Sequence, residues 1–182
     1  MKPTTSIRSG YTLVEMLIVV AVLGIAGSLV VPAFSQTDTL KVQGAVRTLV
    51  ADIAIAQSDA IAFQRGRGFV FTTGESNSGY TIAEVNGNTL DVDLDGLETR
   101  RIGGNQFGGA YISSVNLPNG LLVFDELGGP VEGPGSDVAA ATGWIEITGR
   151  GEVFRLTVEA YTGRVTVSRT ETTDDGPVYG SD

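Results

Sequence analysis

Residues 9–34 read SGYTLVEMLIVVAVLGIAGSLVVPAF, a polar dipeptide followed by an apolar run with one acid near its start. Between Met16 and Val31 there is no charge. At 1.5 Å per helical residue that stretch is ~24 Å long, short of the ~30 Å hydrocarbon layer of a bilayer. Extending it from Tyr11 to Phe34 gives about 36 Å, so a helix here crosses a bilayer only with Glu15 inside or at its edge. A carboxylate in that position costs roughly 2.5–3.5 kcal/mol on insertion scales and marks a function until a partner is found.

The preceding decapeptide, MKPTTSIRSG, carries Lys2, Arg8 and the initiator amine, and no acid. Two ordinary readings compete for such a front. A secretory signal peptide has an apolar region of about 7–15 residues and a small-residue cleavage site; this run is longer and ends in Val-Pro-Ala-Phe. A plain signal anchor, with Lys2 and Arg8 held in the cytoplasm, accounts for the topology but not for Glu15.

Ser9-Gly10 ahead of Tyr11-Thr12-Leu13-Val14-Glu15 and a long apolar helix resembles the class III signal of type IV pilins and type II secretion pseudopilins. The resemblance implies that a prepilin peptidase cuts between Gly10 and Tyr11, that Tyr11 is N-methylated, and that the apolar helix stays as membrane anchor and later as filament core. Tyr11 stands where the family usually has Phe. Glu15 becomes the fifth mature residue, and Pro32 falls where many pilins place a helix-kinking proline. Implied with these is a single pass through the bacterial inner membrane with the head in the periplasm. Cleavage also creates an α-amine that Glu15 of a neighbouring subunit can neutralise. Removing one member of such a buried pair leaves the other uncompensated at about 3–5 kcal/mol, which makes Glu15 a register device for assembly.

Composition narrows the chemistry. The 182 residues allow one folded domain, and there is no Cys and no His. Disulfides, thiolate nucleophiles and Cys-ligated metals are excluded, and the commonest general base and nitrogen ligand are missing. The expectation is a protein that is not an enzyme. A formal charge of −9 argues against phosphate-backbone binding. Without Lys2 and Arg8 the balance is 10 bases against 21 acids, or −11. Apolar residues at 42% and charged ones at 18% indicate a buried core plus the apolar segment at the front.

Beyond the anchor, Thr37-Asp38-Thr39 offers N-cap chemistry for a helical stretch reaching about Phe63. Val42, Val46, Leu49, Ile53, Ala56, Ala60 and Phe63 step by four and three, one face of an α-helix, with Arg47, Asp52 and Asp59 off the stripe. The stripe suits packing on a sheet; a short coiled coil is the other option. Pro32 is expected to bend the helix rather than end it. After Arg65-Gly66-Arg67-Gly68 the period becomes two. Strands are expected at 69–71, 80–85, 90–94, 110–117, 121–124, 144–148, 153–160 and 164–168, with turns at Asn86-Gly87, Gly149-Arg150-Gly151 and Thr162-Gly163. Gly128 to Asp137 reads as a loop, and Glu171 to Asp182 as a disordered acidic tail. The fold class is α+β, a helix on an antiparallel sheet or sandwich built from hairpins. Its divisions are a leader (1–10), an anchor helix (11–34), its amphipathic continuation (35–65), a β-rich head (66–170) and the tail (171–182).

Ala56-Gln57-Ser58-Asp59-Ala60-Ile61 resembles the region ending the helix in H-type minor pseudopilins and FimT-type minor pilins, with Gln57 where an Arg is usual. The closing hairpin, from Trp144 through Gly163-Arg164-Val165, resembles the Gly-Arg-Val ending of the same group. The resemblance implies a pilin-like fold and a minor subunit of a secretion pseudopilus, whose partners are the peptidase, other pseudopilins, the membrane and exported cargo. The alternatives are a minor pilin in pilus initiation, adhesion or DNA uptake, and a signal-anchored periplasmic binding domain.

Several smaller motifs lie in the head. Asp91-Val92-Asp93-Leu94-Asp95-Gly96 matches the first half of a calcium loop, with Asp91, Asp93 and Asp95 as donors, but position twelve is Ile102 rather than Glu. The same residues also alternate as a strand with Leu90, Val92 and Leu94 on a buried face. Arg65 with Arg67 and Arg100 with Arg101 are the basic clusters of the soluble part, read as solvated strand ends; Gly163-Arg164-Val165-Thr166 lacks the second Arg of DNA-binding FimT-type endings. No Gly-rich segment has phosphate-loop spacing, and Asp125 and Glu126 form no spaced catalytic pair.

Overall fold

The computed structural model describes residues 11–92 and 99–171, with only the backbone described for 28–38 and 171. The leader with Gly10, the Pro32 side chain, Asp93, Asp95 and the tail from 172 onward lie outside the described residues. The chain divides into two units, Met1–Thr37 and Asp38–Asp182.

Helix α1 is assigned from Leu13 to Phe63. Pro32 forfeits one i→i−4 bond without ending it. Thr37-Asp38-Thr39 is therefore helix interior and not a start, because an N-cap requires the backbone before it to leave the helix.

In the first unit the helix has no core of its own. Its apolar side chains from Leu13 to Ile25 that count as large are 45–81% exposed and lie all round the cylinder. Among the described residues no helix is long and apolar enough to cross a membrane. The apolar part with described side chains, 13–27, spans only about 22 Å against the ~30 Å required.

In the second unit Val42, Val46, Leu49, Ile53, Ala56 and Ala60 are buried as the spacing predicts, and Ala45 joins their stripe. Phe63 departs from it at 63% exposure. The helix ends there, and Gln64 at φ 52° turns the chain away. Asp52 departs in the other direction: expected off the stripe, it is buried, being adjacent to Ile53 and one turn from Leu49 and Ala56.

Among the described residues ten strands follow: β1 (Arg67–Thr72), β2 (Gly79–Asn86), β3 (Thr89–Asp91), β4 (Thr99–Arg101), β5 (Tyr111–Asn116), β6 (Leu121–Phe124), β7 (Pro130–Val131), β8 (Gly143–Gly149), β9 (Glu152–Val158) and β10 (Val165–Glu171). One sheet has the order β3-β2-β1-β6-β7, with β4 also on β2; the other is β10-β9-β8-β5. All these strand pairings are antiparallel, so the class is α+β. Hairpins join β1 to β2, β2 to β3, β6 to β7, β8 to β9 and β9 to β10; β4 returns to β2, and β1 with β6 and β5 with β8 are long-range pairings.

Two strands lie where none was expected. β4 and β7, of three and two residues, are too short to display alternation, and β7 falls inside the expected loop 128–137. The strand expected at 90–94 stops at Asp91, and Val92 is exposed rather than on a buried face. Glu171 is not tail: it is the last residue of β10, in register with Glu152.

Both sheets share a core with the helix stripe. Phe69, Tyr80, Leu122 and Phe124 come from one, and Ile112, Ile145, Ile147, Leu156 and Val158 from the other. On β8 the buried positions alternate through Ile145, Ile147 and Gly149. At Gly149 a Cβ would lie 2.8 Å from the Val42 side chain, so only glycine lets this strand end come so close to the helix.

Candidate processing and assembly site

The amino-terminal site is built on a capped helix start. Thr12 Oγ1 accepts the Glu15 N–H at 3.2 Å, and the Thr12 carbonyl accepts the Met16 N–H at 3.2 Å. Thr12-Leu13-Val14-Glu15 is thus the S/T-x-x-E capping-box spacing. Glu15 also sits in the first turn, where the helix dipole favours a negative charge. Tyr11 is exposed just before the cap. The Glu15 carboxylate is exposed and has no hydrogen-bond or ion-pair partner among the described residues. Sequence reasoning attended to the membrane cost of Glu15 and passed over its local role, although the Thr12 to Glu15 spacing signals it.

A second constellation joins helix to sheet. Asp52 on α1, 7% exposed, accepts a hydrogen bond from Tyr80 Oη of β2 at 2.5 Å. The same carboxylate oxygen accepts Arg100 Nε of β4 at 2.7 Å. Burial, reinforced by the hydrogen bond and charge of Asp52, pushes the Tyr80 phenol well above its ordinary value, so it remains a donor. The arrangement ties α1, β2 and β4 together.

The basic clusters are only partly the solvated strand ends expected: Arg65 and Arg101 are exposed, whereas Arg67 is half-buried. Arg67, 13% exposed, and Arg65 both bond Glu84 of β2, at 2.5 and 3.0 Å. The Arg67 hydrogen bond in particular holds the Glu84 carboxyl below the usual carboxylate range. Arg100 is engaged with Asp52.

Gln57 is a further tie that its sequence reading, a departure from a usual Arg, did not disclose. Its amide Nε2 donates to Gly128 O at 2.7 Å and to Thr162 O at 2.9 Å, holding the β6–β7 and β9–β10 loops to the helix. Gly163, at φ +64°, passes so close that a Cβ would lie 2.7 Å from Phe124 and 2.9 Å from Gln57.

Asp125 Oδ1 accepts the N–H groups of Leu127 and Gly129, at 3.0 and 2.7 Å, which makes it a turn former. Of the three calcium candidates only Asp91 lies among the described residues, on β3 opposite Glu84. Ile102, at the twelfth loop position, is fully buried in the core. Among the described residues no group of three or more Asp and Glu could hold a metal.

No curated protein and no solved structure matches the chain. The family described as Prokaryotic N-terminal methylation motif matches residues 6–31, a span that holds Gly10, Tyr11, Thr12, Glu15 and the apolar turns that follow. The chain therefore carries a prepilin-type amino-terminal motif, which supports a type IV pilin-like protein with a class III signal.

Proposed function

We propose that the chain is a prepilin of the bacterial inner membrane whose mature form is a minor pseudopilin of a type II secretion pseudopilus. The observation that carries this reading is the coincidence of the methylation motif at 6–31 with a capped helix whose apolar side chains are exposed all round. A helix apolar on every face needs an apolar host. The bilayer supplies it before assembly, and the helices of neighbouring subunits supply it afterwards. Prepilin peptidase cuts between Gly10 and Tyr11, Tyr11 is methylated, and Glu15 meets the new α-amine of a neighbour. The head has a pilin-like fold and acts by assembly, not catalysis. Protein export is favoured over DNA uptake because the mature chain would carry 10 bases against 21 acids, and counterion release needs clustered cations.

The test separates the charge of Glu15 from its capping role. Gln also fits the capping box, so Glu15→Gln keeps the helix start and removes only the charge. Co-expressed with peptidase and partner pseudopilins, Glu15→Ala and Glu15→Gln are expected to be processed but to enter the filament poorly. Normal incorporation of Glu15→Gln would overturn the register role.

A further inference from the structure

Sheet edges are interaction liabilities, and proteins cover or shorten them. Among the described residues all are so treated but one. β3, β4 and β7 have three, three and two residues. β7 contains Pro130, and its outer side is bridged by the segment around Ala139. β5 is capped by the 73–78 loop: Ser78 Oγ accepts the Ile112 N–H at 3.1 Å, and the Ile112 carbonyl accepts the Gly74 N–H at 3.0 Å.

β10 is different. It is seven residues long, pairs with β9 without a bulge, and contains neither Pro nor Gly. Its outer edge meets no other strand among the described residues. The Glu159 N–H donates to Arg164 O at 3.0 Å. Because an antiparallel ladder alternates, it is Val165, Val167 and Arg169 whose N–H and C=O groups face outward.

An apolar groove of about 460 Å³ runs beside this edge. Arg47, Val50, Ala51 and Ala54 of α1 line one wall, with Phe154 and Val167 of β9 and β10 on the other. Val167 shares its face of the sheet with Leu156 and Val158 but is 47% exposed. A further strand on β10 would cover it.

The geometry points to β10 and this groove as a docking site for an extended polypeptide strand of another protein. Backbone groups of the strand complete the sheet, and its alternate apolar side chains fill the groove. A carboxylate on the same face of the strand meets Arg47, which has no ion pair among the described residues. A second copy of this chain is a poor occupant. Among the described residues it has no other open edge long enough to pair with β10. The site does not depend on the proposed function.

The experiment uses the full chain in detergent micelles. The probe is an acetylated peptide of about eight residues alternating Val and Thr with one Asp among the Val positions. Amide hydrogen exchange at Val165, Val167 and Arg169 is expected to slow when it binds. Val167→Pro removes an outward donor and spares the bonds to β9, while Ala54→Glu places a charge in the groove at an exposed helix position. Each is expected to weaken binding about tenfold. Absence of slowing, or unchanged binding in both variants, overturns the proposal. So does protection of these amides in the free chain: independent of concentration it places residues 172–182 on the edge, and dependent on concentration it places a second copy there.

Discussion

Replacing Asp52 by Ala removes the one acceptor shared by Tyr80 and Arg100. The phenol is left buried without a partner, at about 1–3 kcal/mol. Arg100, whose side chain is 36% exposed, recovers part of its hydration, so the full 3–5 kcal/mol typical of a broken buried pair is not reached. A loss of about 2–4 kcal/mol follows, or roughly 5–15 °C in Tm for a unit of this size. Tyr80→Phe alone removes a hydrogen bond to a charged acceptor and costs about 1.5–3 kcal/mol. In the Asp52→Ala background the same change removes an orphaned hydroxyl and is expected to be near neutral, a coupling of at least about 1 kcal/mol. Urea unfolding of the full chain in micelles, read by Trp144, the single tryptophan, measures the natural chain and the three variants. An Asp52→Ala loss below about 1 kcal/mol, or simple additivity of the two changes, would refute the reasoning.

Other outcomes follow from the same contacts. Gln57→Ala leaves the carbonyls of Gly128 and Thr162 without their shared donor and should cost about 1–2 kcal/mol, with faster amide exchange confined to the β6–β7 and β9–β10 loops. Gly163→Ala adds a Cβ at positive φ against Phe124 and Gln57; a loss of about 1–3 kcal/mol is expected, and a neutral result would contradict the close packing of that turn. Glu84, whose folded pKa is depressed, contributes stability that is present above the ordinary value of 4.5 and is lost as pH falls through its folded pKa. The unfolding midpoints of the natural chain and Glu84→Gln should therefore converge as the solution is made more acidic than pH 4.5, and a gap that stays constant would remove the ion pairs from the account.

What was legible in the sequence is what repeats locally. The stripe from Val42 to Ala60 and the alternation on β8 and β9 each recur several times within one element, so residue spacing alone locates them. Tyr80 and Arg100 lie 28 and 48 residues from Asp52, and no local period can announce that a polar residue beside the stripe will be buried by strands not yet formed. β4 and β7 owe their existence to longer neighbours and have too few residues to carry a pattern of their own. Phe63 fits the helical period but lies at the helix end, where exposure depends on how the chain leaves. The amino-terminal motif was readable because its residues are contiguous: Gly10, Tyr11 and Glu15 fall within the span that the methylation motif matches. Even there, the spacing of Thr12 and Glu15 carried a second meaning that the membrane cost of a carboxylate obscured.

The central claim is that this chain is a prepilin, and the mass of its amino terminus tests it most directly. Co-expressed with a prepilin peptidase and purified from membranes, the chain should begin at Tyr11 and carry one additional methyl group on its α-amine. An intact amino terminus retaining MKPTTSIRSG in the presence of an active peptidase, or a cut after the apolar run, would contradict the account.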